Sequence, residues 1–286
     1  MPIARGRAAL ARTLAWTTKT DWGEVAWSFS DLAGGSPVEL VWRPGRPGLF
    51  WTAEPAPPEW PGSRRLERAL ALARVLGMRF VRGETRMLRE MSASAQSPWP
   101  LWLSGRHEDA GDAAKLYMLT GGTKWDRHSP PQLAALWRQD DRLVMLGLSP
   151  DGCREFYWRR LSPQPGDCWR MASEPCLEPL AVQLDRALIY WTGHGLDSDR
   201  RGPLGLSVKL SATGQPEALA AFLRVRQAGP EESVRERLLR GGGEANPAIA
   251  RLWAARRMRP MFLTLAATPA GVLPSLGLRI SPQAAS

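Results

Sequence analysis

The sequence predicts an α+β fold in which a single antiparallel ten-stranded β-barrel is surrounded by α-helices, in one domain over residues 1–286. Helix-like segments alternate with pairs of strand-like segments five times along the chain. The strands of each pair are joined by turns too short for a parallel crossover, so the sheet should be antiparallel. Ten such strands can close edge to edge under a layer of helices. The alternative is two α+β domains, but no linker of interdomain length separates the units.

The first two units lie in the N-terminal part of the chain. A helix is predicted over 5–18, followed by strands at 36–42 and 48–53 around the turn RPGRP. A second helix begins near residue 62, because apolar residues recur there at helical spacing: Leu66, Leu70, Ala73 and Leu76. The two strands of this unit are predicted at 99–105 and 113–120.

The remaining three units follow the same pattern. A short helix in PPQLAALWRQ precedes strands at 141–149 and 153–161, whose PDG turn is a strong hairpin signal. A helix in EPLAVQLDRA precedes strands at 186–193 and 203–211. The last unit is predicted to have helices near 216–227 and 230–240, further helix after the GGG, and strands at 260–268 and 271–280.

The charge balance indicates an anionic partner. Lys and Arg number 38 against 28 Asp and Glu, and almost all of the excess is arginine, whose planar fork suits phosphate. The basic residues form no run of five or more, and no nucleic-acid-binding signature is present, so a nucleic-acid-binding protein is the less favoured alternative. Arginine can also replace lysine on an ordinary surface.

The sequence favours a cytoplasmic protein without a protein-held metal. No stretch approaches the roughly 18 apolar residues of a spanning helix, and arginines interrupt the N-terminal segment where a signal peptide needs an apolar run. The three cysteines have no CxxC spacing and read as free thiols. The three histidines are too scattered for a local metal motif.

Alternating residues in the predicted strands place polar and charged side chains on one face. Lys115 shares a face with Tyr117, and Glu155 with Tyr157 and Arg159. The same spacing groups Gly205 with Ser207 and Lys209, and Gly277 with Arg279. If helices cover the outer face, these residues point into the barrel, where repeated cations imply a bound anion. The alternatives are a register shifted by one residue or side chains at solvent-exposed strand ends.

Several short segments carry a resemblance to a known family. They are VELVWR at 38–43, SGRHEDAGDAAKLYM at 104–118, YWTGHGL at 190–196 and RPMFLTL at 259–265. Together with the order of elements, they resemble the aromatic prenyltransferases with the ABBA barrel, and most of all the cyanobactin-type peptide prenyltransferases. Tyr117 stands where that family commonly has histidine, and Arg159 and Arg279 stand where it often has tyrosine.

The resemblance implies transfer of an isoprenyl group from an allylic diphosphate to a side chain of a peptide. The expected donor is dimethylallyl diphosphate, with Mg²⁺ bound through the diphosphate, and the expected acceptor is a linear or macrocyclic peptide. The expected enzyme is a monomer with no membrane partner. The alternative enzyme keeps the barrel and the diphosphate site but modifies a free aromatic small molecule.

The resemblance also implies roles for individual residues. Glu39 is the expected general base. The expected diphosphate cradle consists of Arg46, Lys115, Tyr117, Arg159, Lys209 and Arg279, with Arg43 as an alternative to Arg46. Arg106 is expected to be a surface charge. Trp191, in a predicted strand, and Leu263 are expected to form the prenyl pocket, in which a large ring at Trp191 limits the donor to five carbons.

Overall fold

The computed structural model describes most of the chain: residues 2–17, 32, 37–46, 48–94, 101–120, 133, 142–160, 166–174, 176–196, 204–240 and 258–280. The helices in these ranges are α1 (Pro2–Thr17), α2 (Gly62–Val75), α3 (Arg82–Ser94), α4 (Asp167–Ala172), α5 (Glu178–Thr192), α6 (Val225–Ala228) and α7 (Glu231–Arg240). The strands are β1 (Val38–Trp42), β2 (Leu49–Ala53), β3 (Leu101–Glu108), β4 (Gly111–Leu119), β5 (Arg142–Leu148), β6 (Arg154–Arg160), β7 (Leu204–Leu210), β8 (Pro216–Arg224), β9 (Met258–Thr268) and β10 (Gly271–Ile280).

The ten strands form a closed barrel in which every neighbouring pair is antiparallel, which confirms the predicted fold class. Strands adjacent in the chain are adjacent in the sheet, and β1 pairs with β10 to close it. The five hairpin turns therefore lie at one end of the barrel. The PDG turn between β5 and β6 forms as predicted: Gly152 has a φ of 85° and its N–H donates to the Ser149 carbonyl over 3.0 Å.

The main hydrophobic core lies between the outer face of the barrel and the helices. In α2 the helical spacing of Leu66, Leu70 and Ala73 turns one apolar face toward this layer. The strands supply alternate residues to the same layer, such as Leu101 and Leu103 of β3. Burying the outer face in this way leaves the inner face of each strand free to carry polar side chains.

Two segments have the opposite secondary structure to the one predicted: one predicted strand is a helix, and one predicted helix is a strand. The predicted strand at 186–193 is instead the last part of α5, which ends at Thr192 and is capped by Gly193. The segment is helical because Leu180, Leu184, Leu188 and Trp191 continue one buried helical face. Residues 216–224 form the strand β8 and are not a helix, because β7 pairs with one edge of this segment and β9 with the other. Tertiary pairing here overrides the high helix propensity of the run ALAAFL.

Smaller differences concern the helices. Helix α3 is absent from the sequence-based prediction, although it has a strongly amphipathic pattern in the structure. The predicted helix in PPQLAALWRQ, apart from the single residue Leu133, and the helix after GGG lie outside the described residues. Of the helices that the structure describes, none is long and apolar enough to cross a membrane.

Candidate active site

The inner face of the barrel carries the residues that the sequence assigns to it. Register pairs Lys115 with Ser104, Tyr157 with Ser207, and Glu155 with Lys209, so these side chains share one face. Their chain neighbours, such as Leu116 and Phe156, belong to the outer core. The predicted strand faces are therefore confirmed, and the alternative register shifted by one residue is wrong.

A buried carboxylate organises the centre of this face. The Lys115 ammonium forms an ion pair with Glu155, and both side chains are almost fully buried. The Ser207 hydroxyl donates to the other Glu155 oxygen over 2.6 Å. Burial by itself would raise the pKa of Glu155, but the charge of Lys115 and hydrogen bonds from Lys115, Ser207 and Tyr157 lower it to about 2. Glu155 is therefore ionised at neutral pH.

Two phenols and a guanidinium extend this cluster. Tyr117 hydrogen-bonds with Arg106 and with Tyr157, and the two phenol rings meet edge to face with centroids 5.8 Å apart. Burial opposes ionisation of Tyr117, but the charges of Lys115 and Arg106 lower its pKa. Burial and the Glu155 charge raise the pKa of Tyr157. Tyr117 is thus a hydroxyl donor polarised by two cations.

A second group of charges lies toward the turn between β1 and β2. Arg43 is placed over the Phe50 ring, with its guanidinium carbon 4.5 Å from the centroid. Burial and the neighbouring Arg106 lower the pKa of Arg43 to about 10, so it stays cationic at neutral pH. Arg46 pairs with Glu108 over 3.3 Å and is exposed. Arg43 is therefore better placed than Arg46 to act inside the barrel.

Aromatic rings line the wall next to the charged cluster. Tyr157 contacts Phe222 with ring centroids 5.4 Å apart. Trp102 is the register partner of Tyr117, and its indole N–H donates to Glu54 over 2.9 Å. Glu54 is itself held by the buried Arg65 of α2. This network fixes the Trp102 ring from outside the barrel.

Glu39 occupies the opposite part of the inner face, on β1. Burial raises the pKa of Glu39 to about 7, and no hydrogen bond to its carboxylate is found within the described part of the chain. Gly277 lies against it: a Cβ on Gly277 would lie 2.8 Å from Glu39 Oε1. A carboxylate with a pKa near 7 can accept a proton at neutral pH, as a general base must.

Glu39 and Lys115 belong to one row of inward-facing residues. Glu39 pairs in register with Thr52, Thr52 with Ser104, and Ser104 with Lys115. Three strand intervals of about 4.8 Å separate the two ends of the row by about 14 Å around the wall. The proton acceptor and the cationic cluster therefore face a shared interior from different strands.

The other predicted cradle residues do not contribute their charges to the central cluster, although Lys209 is the register partner of Glu155. Lys209 is part-exposed and pairs with Glu217 over 2.5 Å. Arg159 is exposed near the end of β6. Arg279 is the register partner of Glu39 on β10 and so lies beside the base, not among the cradle residues of β3 and β4.

The structure places the two expected prenyl-pocket residues outside the barrel. Trp191 lies on α5, and its backbone carbonyl accepts a hydrogen bond from Arg237 over 2.8 Å. Leu263 of β9 is fully buried in the core that faces the helices. Both differ from the sequence-based expectation, Trp191 because its segment is a helix and Leu263 because its strand face points outward. This placement does not support a pocket role for either residue.

The structure also shows inward residues to which the sequence assigned no role. Arg106, expected at the surface, lies inside the barrel and hydrogen-bonds with Tyr117. Trp102 shares its strand face. The alternation of Trp102, Ser104 and Arg106 in WLSGRHE was the available signal, because it continues the Lys115 face onto the paired strand.

The cradle residues do not make a protein-held Mg²⁺ site. Within the described ranges no group of three or more His, Cys, Asp or Glu side chains could hold a metal ion. The carboxylates of Glu155 and Glu108 already pair with Lys115 and Arg46. Hard cations prefer carboxylate oxygens that are free to coordinate, whereas each of these carboxylates already has a protein cation as its partner.

Solved structures of aromatic prenyltransferases share this fold. A 6-dimethylallyl tryptophan synthase matches with a TM-score of 0.69 at 16% identity, covering 98% of this chain and 96% of that one. The 5-dimethylallyltryptophan synthase from Streptomyces coelicolor has a TM-score of 0.70 at 16% identity, with coverages of 98% and 92%. Prenyltransferase PriB, solved with L-tryptophan and dimethylallyl thiolodiphosphate, has a TM-score of 0.62 at 18% identity, with coverages of 98% and 90%.

These comparisons establish the architecture. No protein-family model matches the chain, and no curated protein matches it. The matched structures span nearly the whole chain, so the class defined here is the ten-stranded barrel of the aromatic prenyltransferases, also called the ABBA fold. The neighbours named above give no support to a special relation with the cyanobactin-type enzymes.

Proposed function

We propose that this protein is a prenyltransferase that moves a dimethylallyl group from dimethylallyl diphosphate to an aromatic acceptor. The observation that carries the proposal is the cluster of Lys115, Arg106 and Tyr117 on the inner face of a closed barrel. Structures with this fold include a 6-dimethylallyl tryptophan synthase, and the prenyltransferase PriB was solved with L-tryptophan and dimethylallyl thiolodiphosphate.

The cluster suits a departing diphosphate. Breaking the C–O bond of an allylic diphosphate leaves negative charge on the phosphate oxygens, which cationic and hydroxyl donors stabilise. Lys115 supplies an ammonium, Arg106 a guanidinium and Tyr117 a polarised hydroxyl. Lys115 is buried and Arg106 and Tyr117 are partly buried inside the barrel, so their interaction with the diphosphate would be weakly screened by water. Mg²⁺ remains a prediction from the resemblance and would arrive with the donor diphosphate.

The aromatic wall suits the other product of ionisation. Tyr117, Tyr157 and Phe222 present rings next to the cations, and Trp102 lies in register with Tyr117. An allylic cation is stabilised by the faces of aromatic rings and is destroyed by water. A wall of rings therefore protects the cation until the acceptor attacks.

Glu39 completes the reaction. When the acceptor ring attacks the allylic carbon, a new bond forms and the ring must lose one proton. Glu39 lies on the inner face, and its pKa of about 7 leaves it a competent proton acceptor at neutral pH. In this scheme the proton passes from the acceptor to Glu39. The diphosphate, as the leaving group, is stabilised by Lys115 and Arg106 when the C–O bond breaks.

The acceptor is proposed to be a small aromatic molecule, with an indole as the first choice. The two synthases and PriB named above are tryptophan enzymes or were solved with tryptophan, which supports this reading over the peptide acceptor expected from the sequence. A peptide acceptor stays the second possibility to be tested.

The test is a direct assay of transfer. The protein is incubated with dimethylallyl diphosphate and Mg²⁺ together with L-tryptophan, simple indoles, phenols or tryptophan- and tyrosine-containing peptides, and the products are read by mass spectrometry. The proposal expects a gain of one C5H8 unit on a free aromatic acceptor. Lys115→Ala should abolish most of this product.

A matched control variant distinguishes the loss of a donor in the site from the loss of one positive charge elsewhere in the protein. Arg86→Ala removes one positive charge from an exposed ion pair on α3 and should leave transfer unchanged. Modification of peptides alone would exclude the small-molecule reading. Absence of transfer to every acceptor, together with absence of pyrophosphate binding, would exclude the prenyltransferase.

A further inference from the structure

An ionised carboxylate in the middle of a diphosphate site calls for an explanation. Glu155 lies on the inner face of β6, and its carboxylate accepts hydrogen bonds from Lys115, Ser207 and Tyr157. Its three partners come from three different strands, β4, β7 and β6. A donor molecule that reaches Lys115 must approach this negative charge closely.

Glu155 also controls the position of the lysine. A Cβ on Gly147, the register partner of Glu155, would lie 2.9 Å from Lys115 Cδ and 3.5 Å from Glu155 Cβ. The glycine therefore leaves the space through which the lysine chain passes on its way to Glu155. The ammonium is held at the carboxylate by packing as well as by charge.

We propose, on the basis of the function proposed above, that Glu155 is a positioning residue that competes with the diphosphate for Lys115. With the site empty, the carboxylate holds the ammonium toward the interior. With the diphosphate bound, Lys115 is shared between the carboxylate and the phosphate oxygens. After transfer, Glu155 repels the inorganic pyrophosphate and takes Lys115 back, so that the product leaves.

This role and a purely structural role predict opposite changes in the affinity for pyrophosphate and for the donor when the charge of Glu155 is removed. If Glu155 only oriented Lys115, removing its charge would weaken binding of pyrophosphate and of the donor. If Glu155 competes for Lys115, removing its charge tightens both, because one repulsive charge is lost at short range in a poorly solvated site. The direction of the change in affinity therefore decides between the two.

The experiment compares pyrophosphate binding to the wild type and to Glu155→Gln by calorimetry. The glutamine keeps the shape and one acceptor oxygen for Ser207. The expected result is a Kd for pyrophosphate lower by about tenfold or more. In steady-state assays the KM for the donor and kcat should both fall, because substrate and product are both held longer.

The control is Glu67→Gln, which makes the same charge change in an exposed pair with Arg89 outside the barrel. It should leave the pyrophosphate Kd within about twofold, because solvent screens that pair. If Glu155→Gln does not fold, Glu155→Ser, which leaves room for water beside Lys115, takes its place in the same comparison.

Unchanged or weaker pyrophosphate binding in the Glu155 variant would overturn the competing role. These outcomes distinguish the role of Glu155 from the proposed function. If the wild-type protein binds pyrophosphate and transfers the prenyl group but the variant binds pyrophosphate no tighter, only the role of Glu155 is wrong. If the wild-type protein neither binds pyrophosphate nor transfers a prenyl group, both proposals are wrong.

Discussion

Replacing Glu39 with glutamine should stabilise the protein at alkaline pH while it slows prenyl transfer. Burial raises the pKa of this carboxyl from 4.5 to about 7, so the folded state resists ionisation and the unfolded state does not. Glutamine has nearly the same shape and no charge to desolvate. The variant therefore separates the cost of burying the charge from the packing of the side chain.

The magnitude follows from the two pKa values. Below about pH 4 the carboxyl is neutral in both states and contributes no difference between wild type and variant. Between pH 4.5 and 7 the unfolded state loses its proton first, so the stability of the wild type falls with rising pH. Above pH 7 the full difference is present, and for a side chain that is not fully buried we expect roughly 2–3 kcal/mol.

The assay is chemical denaturation of wild type and Glu39→Gln at pH 4, 6 and 8.5, read by circular dichroism. The gain in unfolding free energy of the variant should grow across this range, since other titrating groups cancel in the difference. In parallel, kcat/KM of the wild type should rise between pH 6 and 8 as Glu39 becomes ionised. The variant should lack this rise and keep its affinity for pyrophosphate.

A difference in stability that does not change with pH would refute the reasoning, because Glu39 would then not titrate differently in the two states. A variant that is less stable at pH 8.5 would show that a cation compensates the carboxylate in the folded protein. Loss of pyrophosphate binding would place Glu39 in the donor site and remove it as a base.

Three further predictions concern the site. Lys115→Ala should cut kcat by about a hundredfold, and Lys209→Ala by no more than about tenfold, because Lys115 is buried whereas Lys209 is part-exposed. Equal effects on kcat in steady-state assays would contradict this difference. Gly277→Ala should lower kcat with little change in the donor KM, since its Cβ displaces the Glu39 carboxylate; a wild-type rate would show that the carboxylate has room to move. Trp191→Gly should lower Tm and leave the preference between dimethylallyl and geranyl diphosphate unchanged, because Trp191 is a buried residue of α5. A reversed preference in a competition assay would show that Trp191 lines the prenyl pocket.

The barrel was predictable because its signals are local. Period-two alternation in KLYML and EFYWR placed Lys115, Tyr117, Glu155 and Tyr157 on the correct face, and the PDG turn fixed one hairpin. Each signal needs only a few neighbouring residues. The antiparallel order followed from the short turns, whereas the total of ten strands was correct because the wrongly predicted strand at 186–193 offsets the missed strand β8.

Features that depend on distant residues were not predictable in this way. The run PEALAAFLR forms a strand because β7 and β9 pair with it. The run RALIYWT is a helix for a local reason that the prediction missed: its apolar residues continue the buried face that begins at Leu180. Once the segment of Trp191 was read as a strand, its pocket role followed from that error. Arg106 was read as a surface charge because only the pairing of β3 with β4 brings it to Tyr117.

The pairing of β1 with β10 makes the site depend on a contact between the first and last strands. Glu39 and its register partner Arg279 are about as far apart in the chain as any two strand residues here, and closing so large a loop costs conformational entropy and slows its formation. The hairpins that hold Lys115 and Glu155 can form from local contacts before this seam, the pairing of β1 with β10, closes. The cationic half of the interior is thus built from neighbouring hairpins, whereas the surroundings of the proton acceptor are complete only when β10 pairs with β1. A protein whose seam opens would keep much of its anion-binding wall and lose the elevated pKa of its base.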